Sequence, residues 1–240
     1  KNILSTVTEE WRKPDKGIWE IRGRSRQFVS SKVMCWVALD RGAKVADLLG
    51  KNEYGRRWRR EADDIRDDVM KNGWKEEIGS FSQAYDNLAL DSSLLLMEPY
   101  GFIEATDPRY SRTVRAVKEA LLHDGLMYRY NSEDDFGMPA SAFTICTFWL
   151  VRALFVTGEK AEARCLFDEV LRYGFEELGL GLITCAHYTF NDRSRRVIEK
   201  AGFVHEGTIH GAEATPDGLM QDFESYYLPR ELWDEAKGRG

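Results

Sequence analysis

One carboxylate in the chain is placed as a proton donor would be. The stretch Gly17–Trp36, GIWEIRGRSRQFVSSKVMCW, sets Glu20 between Trp19 and Ile21, with Arg22, Arg24 and Arg26 just downstream. A carboxyl group pressed against an indole loses water, which disfavours its charged form and raises its pKa. A carboxyl raised in this way still holds its proton near neutral pH and can protonate the leaving oxygen of a glycosidic bond. The plainer reading is an edge-strand or loop carboxylate paired with one of the neighbouring arginines.

Helices and loops of uneven length must position this residue. Residues 1–13 read as the end of a helix closed by Pro14. After the Glu20 loop, apolar spacing predicts a helix over 28–49, with Val29, Val33, Trp36, Val37 and Leu48 on its buried face and Gly50 as its stop. A second helix is predicted over 53–71, a short one over 90–97, and another from the Asp107-Pro108 cap to about His123. A polar connection, 126–139, leads to a very apolar helix over 140–157 and then to a helix over 159–178. Beyond it the character changes. Leu182–His187, Phe203–Ala214 and Leu219–Leu228 have strand propensity, Asn191–Ala201 reads as a small helix, and Thr215-Pro216-Asp217-Gly218 is a good hairpin turn. The predicted fold is therefore mainly α: a partial α/α toroid of helical hairpins in 1–172, then a small α+β tail, strand–helix–strand–strand, in 173–240.

Composition narrows the function. A formal charge of -6 gives no attraction to nucleic acid or an anionic membrane surface. The arginines 56, 57, 59 and 60 interleave with Trp58, but Tyr54, Trp58, Ala62, Ile65 and Val69 form a helical core stripe, which leaves the arginines on a solvated face. The cysteines (35, 146, 165, 185) are far apart, and the histidines show no ligand spacing, so no metal is expected. Cys35 and Cys146 lie in apolar helical runs and read as buried thiols of a reducing compartment. No run is long enough to span a membrane, and the beginning of the chain lacks signal-peptide shape, which predicts the cytoplasm.

The segment PDKGIWEIRG…FVSSKVMCWVALDRG resembles the acid-bearing segment of glycoside hydrolase family 15, the glucoamylase-like enzymes, in its bacterial branch. FSQAYDNLALDSSLLLMEPYGFI (81–103), DPRYSRTVRAVKEALLHDGLMYRY (107–130) and EDDFGMPASAFTICTFWLVRAL (133–154) follow in the family's order. The resemblance implies an α/α toroid, inverting hydrolysis of α-glucosidic bonds, and no cofactor. It makes Glu20 the general acid, Trp19 a stacking wall and Arg22 a substrate neighbour, with Arg129 on sugar hydroxyls assisted by Asp134 or Asp135. On its residues alone, Arg129 reads equally as a surface cation paired with Glu133 or Asp134. An inverting enzyme also needs a second carboxylate about 6.5–9.5 Å away to activate water. In the family that base follows the helix corresponding to 159–178, where this chain reads GLGLITCAHY with no carboxylate. The family's earlier helices, with an Arg-Asp pair for the innermost sugar, have no counterpart here. Weak or absent turnover is the expectation, and an open half-ring is expected to self-associate.

The tail has its own resemblance. Asn191, Ser194, Glu199, Lys200, Gly202 and Phe203 match an N-x-x-S-x-x-x-x-E-K-x-G-F pattern similar to the C-terminal half of GNAT acyltransferases of the ribosomal-protein type. That resemblance implies acetyl-CoA as cofactor, with Asn191 facing its pantetheine arm and Tyr226 or Tyr227 as acid. The Gly-rich pyrophosphate loop it requires is replaced by RALFVTGEKAEA. The chain thus reads as a chimera joined within a helix that both families share. A non-catalytic helical module for binding or assembly is the third expectation.

Overall fold

The computed structural model describes residues 2–215 and 217–237. They divide into two compact units, 1–170 and 171–240.

The first unit is helical. It begins with α1 (Asn2–Glu10) and the hairpin of α2 (Val29–Leu48) and α3 (Asn52–Asn72). Trp58, Ala62, Ile65 and Val69 are buried at helical spacing on α3, so its arginines face outward, as the stripe predicts. α2 mixes apolar residues with charged ones, Lys32, Asp40, Arg41, Lys44 and Asp47. Val33, Trp36 and Leu39 are buried, whereas Leu48, expected inside, is 87% exposed at the helix end. Leu49 and Gly50 follow it into the turn, so no later helical turn packs over it.

Short elements link the next helices. Strands β1 (Trp74–Lys75) and β2 (Ser80–Phe81) pair antiparallel. A 3₁₀ turn, Ser92–Met97, stands where a short helix was expected, and Asp91 caps it by accepting a hydrogen bond from the Ser93 N–H. α4 (Pro108–Leu121) starts on the Asp107 cap, whose side chain accepts from the Arg109 N–H. It stops two residues before His123, because Leu122–His123 (β3) pairs with Leu126–Met127 (β4). Asp124 (φ +50) and Gly125 (φ +77) make the turn between them, the double left-handed geometry that an Asp-Gly hairpin favours. α5 (Thr144–Val156) begins four residues later than expected. The Phe143 N–H is spent on the Met127 carbonyl at 2.8 Å, which keeps that residue extended. α6 (Lys160–Arg172) ends in a π-helical turn over Tyr173–Glu177, so the regular helix is shorter than the 159–178 run.

The core of this unit joins α2, α3, α4 and α5 around the 3₁₀ turn, through Leu39, Ile65, Leu94, Phe102, Tyr110 and Leu150. Lys32 is buried within it; its ammonium donates to the carbonyls of Trp11 and of Lys13 (2.9 Å). Cys146 is buried beneath Ser92, which donates to its sulfur, while Cys35 is only half-buried.

The second unit is a three-stranded antiparallel sheet in the order β5-β7-β6, with β5 (Leu182–Tyr188), β6 (Val204–Ala214) and β7 (Met220–Pro229). α7 (Asp192–Lys200) joins β5 to β6, and α8 (Arg230–Lys237) follows β7. β5 pairs with β7 residue for residue, from Leu182 opposite Pro229 to Tyr188 opposite Phe223. β6 is irregular between His205 and Gly207 and again between Ile209 and Glu213. Pro216 of the expected turn lies outside the described residues; beside it, the Thr215 N–H donates to the Leu219 carbonyl at 2.8 Å and closes the hairpin. Phe175, Tyr226 and Leu228 are buried, and Phe175 stacks on Trp233 at 5.2 Å. No helix among the described residues is long and apolar enough to cross a membrane.

Candidate active site

The loop that carries Glu20 is tied down on both sides. Asp15 and Arg26 exchange backbone hydrogen bonds of 2.9 and 3.0 Å, which close the Lys16–Ser25 loop at its neck. Gly17 adopts φ +70, and the Asp15 carboxylate accepts from its N–H at 2.6 Å. The turn then brings Glu20 to φ +53, a left-handed conformation rare for a residue with a Cβ. Strain of this kind, of order 1–3 kcal/mol, persists where the surroundings over-determine it and clusters at functional sites.

The same turn leaves Glu20 facing solvent. Glu20 is exposed, and no ion pair joins it to Arg22, Arg24 or Arg26 among the described residues. The dehydrated socket expected from the Trp19-Glu20 adjacency is thereby corrected: the left-handed residue directs its side chain to solvent while its neighbour turns inward. The arginine-paired alternative fails as well. Arg24 and Arg26 both pair with Asp86, Arg26 at 3.1 Å, and the Arg22 guanidinium lies 5.8 Å from the Phe136 ring centre.

Trp19 faces an aromatic box. Its ring lies 6.1 Å from Phe143, 6.1 Å from Trp149 and 6.3 Å from Tyr130, centre to centre. The Arg129 guanidinium sits over it at 5.7 Å and over Tyr130 at 5.4 Å. Arg129 is half-buried, and among the described residues no carboxylate lies within ion-pair distance of it, although its charge helps to lower the Asp134 carboxyl. Cation–π attraction holds the guanidinium while leaving its N–H groups for another acceptor. Asp134 serves Tyr130 instead: it accepts the phenolic O–H through one oxygen and the Phe136 N–H, at 2.8 Å, through the other. The phenol's hydrogen bond pulls the Asp134 carboxyl below its usual range. Burial, and then that same bond, push the Tyr130 phenol up to about 12. Asp135 is exposed.

The residue that anchors this box is Asp91, which the sequence reading missed. It is buried, and its carboxylate accepts from the Trp19 indole N–H (3.0 and 2.9 Å to its two oxygens), the Ser93 N–H (2.8 Å) and the Gln83 amide (3.2 Å). Burial drives its pKa upward against these hydrogen bonds, which act in the opposite direction. The available signal was the Asp-Ser-Ser run ahead of Leu94-Leu95-Leu96, a capping pattern that the assignment of a helix from Leu90 obscured.

Two cavities flank the loop. One, of about 280 Å³, is apolar and lies between Ile18, Val33, Met34, Leu94, Met97 and Tyr100. The other, of about 350 Å³, is of mixed polarity and lies between Ile21, Arg24 and Arg26 on one side and Ser132–Asp135 on the other. Among the described residues no group of three or more His, Cys, Asp or Glu side chains could hold a metal. In the second unit, the Asn191 side chain accepts the Ser194 N–H at 3.2 Å and caps α7. The RALFVTGEKAEA segment forms the end of α5, a turn at Gly158 and the start of α6.

The model of the glycosyl hydrolases family 15 matches residues 1–197. The chain belongs to that family. The match runs past the joint expected near residue 172. A trehalase of Mycobacterium tuberculosis is 44% identical over 176 residues, covering 72% of this chain and 26% of the trehalase. Trehalase 2 of Sulfolobus acidocaldarius is 36% identical over 179 residues, covering 74% of this chain and 31% of that protein. The chain therefore spans about a quarter to a third of the length of these relatives. A solved glycosidase shares the fold, with a TM-score of 0.60 at 22% identity over 71% of this chain and 43% of its own.

Proposed function

We propose that this chain carries the acid half of an inverting glycoside hydrolase that splits the α-glucosidic bond of trehalose. The observation that carries the reading is Glu20, without an ion pair among the described residues and held left-handed next in sequence to Trp19, whose ring carries the Arg129 guanidinium, in a chain of glycosyl hydrolases family 15. The similarity to trehalases favours trehalose over maltooligosaccharides.

In this reading Glu20 delivers its proton to the bridging oxygen as the C–O bond breaks, and departing glucose takes that proton as its hydroxyl hydrogen. Because Glu20 faces solvent, the bound sugar itself must exclude water from it. Arg129, with its N–H groups unspent on carboxylates, binds sugar hydroxyls, and Trp19 gives the ring face against which the sugar rests. Arg22 and Asp135 border the entrance. The helical hairpins correspond to part of an α/α toroid. A base must still activate water on the far face of the sugar, and the stretch expected to bear it, Gly179–Tyr188, has no carboxylate and runs into β5. Turnover by this chain is accordingly weak or absent, since base catalysis alone supplies roughly 10²–10⁴-fold.

Incubating the chain with trehalose and with maltose, and following free glucose, tests the substrate. Faster release from trehalose supports the reading; faster release from maltose returns it to the glucoamylase type.

A further inference from the structure

The sheet of the second unit has two edges of opposite character. Its β6 edge is guarded: the strand carries Glu206, His210 and Glu213 and shifts register against β7 between His205 and Gly207 and again between Ile209 and Glu213. Charges and bulges of this kind keep a sheet edge from pairing with other strands. The β5 edge has neither device. β5 lies opposite β7 without a register shift from Leu182 to Tyr188, and no Asp, Glu, Lys, Arg or Pro occurs from Leu178 to Asn191. The imidazole of the strand, His187, is buried, with Nδ1 at 2.8 Å from the Tyr188 carbonyl and Nε2 at 3.3 Å from the Tyr226 hydroxyl.

The ladder bonds beside the strand ends fix which way each residue of β5 faces. The Arg230 N–H donates to the Gly181 carbonyl at 3.1 Å, and the Thr189 N–H to the Asp222 carbonyl at 3.3 Å, so the odd-numbered residues bond toward β7. Leu182, Thr184 and Ala186 therefore turn their N–H and C=O groups to the open edge, and all three residues are exposed. Tyr188 ends this run, because its carbonyl accepts the Asn191 N–H at 2.8 Å. Leu180 and Leu182, 40% and 49% exposed, add apolar surface beside the open groups.

A straight, uncharged strand with free groups at alternate residues is a template for another strand, and this one is complementary to itself when reversed. A two-fold axis at Thr184 sets it opposite Thr184 of the second copy and Leu182 opposite Ala186 of the second copy. Each pair exchanges its N–H···O bonds, so every free donor meets a free acceptor. No charges meet across that axis, whereas reversing β6 about its centre brings Glu206 toward Glu213 of the second copy. We propose that β5 is the interface between two copies of this chain, paired antiparallel about Thr184 into one continuous sheet. This interface concerns the second unit and is independent of the hydrolase reading.

In that register Ile183 stands opposite Cys185 of the second copy, at a position without ladder bonds where side chains approach closely. The test uses the full chain with Cys165→Ser, which removes the exposed thiol. Adding Ile183→Cys and oxidising with copper phenanthroline is expected to give a covalent dimer on a non-reducing gel, and adding Cys185→Ala as well is expected to abolish it. Thr184→Pro removes an outward N–H that β7 does not use, and Thr184→Lys sets two ammonium groups against each other across the axis. Each is expected to weaken dimerisation at least about tenfold in sedimentation velocity, with the circular dichroism of the fold retained. Leu48→Glu, in the helical unit, is expected to leave the crosslink in place. A chain that stays monomeric as its concentration rises, a crosslink that persists without Cys185, or dimerisation indifferent to both Thr184 variants overturns the interface. So does loss of the crosslink in Leu48→Glu, which moves the contact to α2. A dimer crosslinked through Cys185 in the absence of Ile183→Cys overturns the register about Thr184.

Discussion

Asp91 offers the sharpest test of how the site is held. Replacing it with Ala removes the acceptor for three donors, the Trp19 indole N–H, the Ser93 N–H and the Gln83 amide, and strips the cap from the 3₁₀ turn. A buried donor left without a partner costs about 1–3 kcal/mol. Water reaching the half-buried Trp19, and relief of a charge that burial disfavours, offset part of that sum, so Asp91→Ala is expected to cost about 3–4 kcal/mol. Asp91→Asn keeps one oxygen for Ser93 (2.8 Å) and Trp19 (3.0 Å) but presents an NH₂ to the Gln83 amide, so it should cost only about 1–2 kcal/mol. Urea denaturation of the three proteins measures both numbers.

The pH dependence adds an independent sign. Burial raises the folded pKa of Asp91 above its unfolded value, so between the two values the native chain binds the extra proton. Stability from this group is therefore greatest at low pH and is lost as pH rises through that window. Asp91→Asn has no such titration, and the wild-type advantage over it should widen as the solution is acidified. A cost under about 1 kcal/mol for Asp91→Ala, equal costs for the two variants, or an advantage that shrinks on acidification refutes the reasoning.

Other perturbations have expected outcomes of their own. At residue 20 (φ +53), glycine escapes the Cβ penalty, so Glu20→Gly should be more stable than Glu20→Ala by about 1 kcal/mol in urea denaturation; the reverse order contradicts the left-handed turn. Lys32→Met abandons the Trp11 and Lys13 carbonyls and should cost about 2–3 kcal/mol, where a neutral result would deny the pinning of α1's exit to α2. Met34, Val45 and Leu48, 47%, 52% and 87% exposed on one stripe of α2, should drive self-association; light scattering should show it reduced by Leu48→Glu, and a clean wild-type monomer argues against it.

Much of the helical unit could be read from the residues. The α3 stripe and the Asp107-Pro108 cap declare themselves locally, because burial at helical spacing and a satisfied N-terminus are properties of one segment. What failed depended on partners elsewhere in the chain. Thr144, rather than Ala140, starts α5 because Met127, far away in sequence, claims the Phe143 N–H. The helix predicted to about His123 ends at Leu121, because Asp124 and Gly125 take positive φ and build a hairpin. At the site, adjacency of Trp19 and Glu20 suggested a dehydrated carboxyl, but Glu20 is exposed on a left-handed turn. Asp91, 72 residues from Trp19, was legible as a cap and invisible as an indole acceptor.

The central claim is that Glu20 gives up a proton to the leaving oxygen, and leaving-group chemistry tests it most directly. Glucose release by the chain and by its Glu20→Gln variant should be compared on trehalose and on α-glucosyl fluoride, whose fluoride departs without a proton. The account predicts that the weak glucose release the chain shows on trehalose falls further in the variant, while release from the fluoride, low in both for want of the base, is the same in the two proteins. Trehalose hydrolysis undiminished in the variant would contradict it.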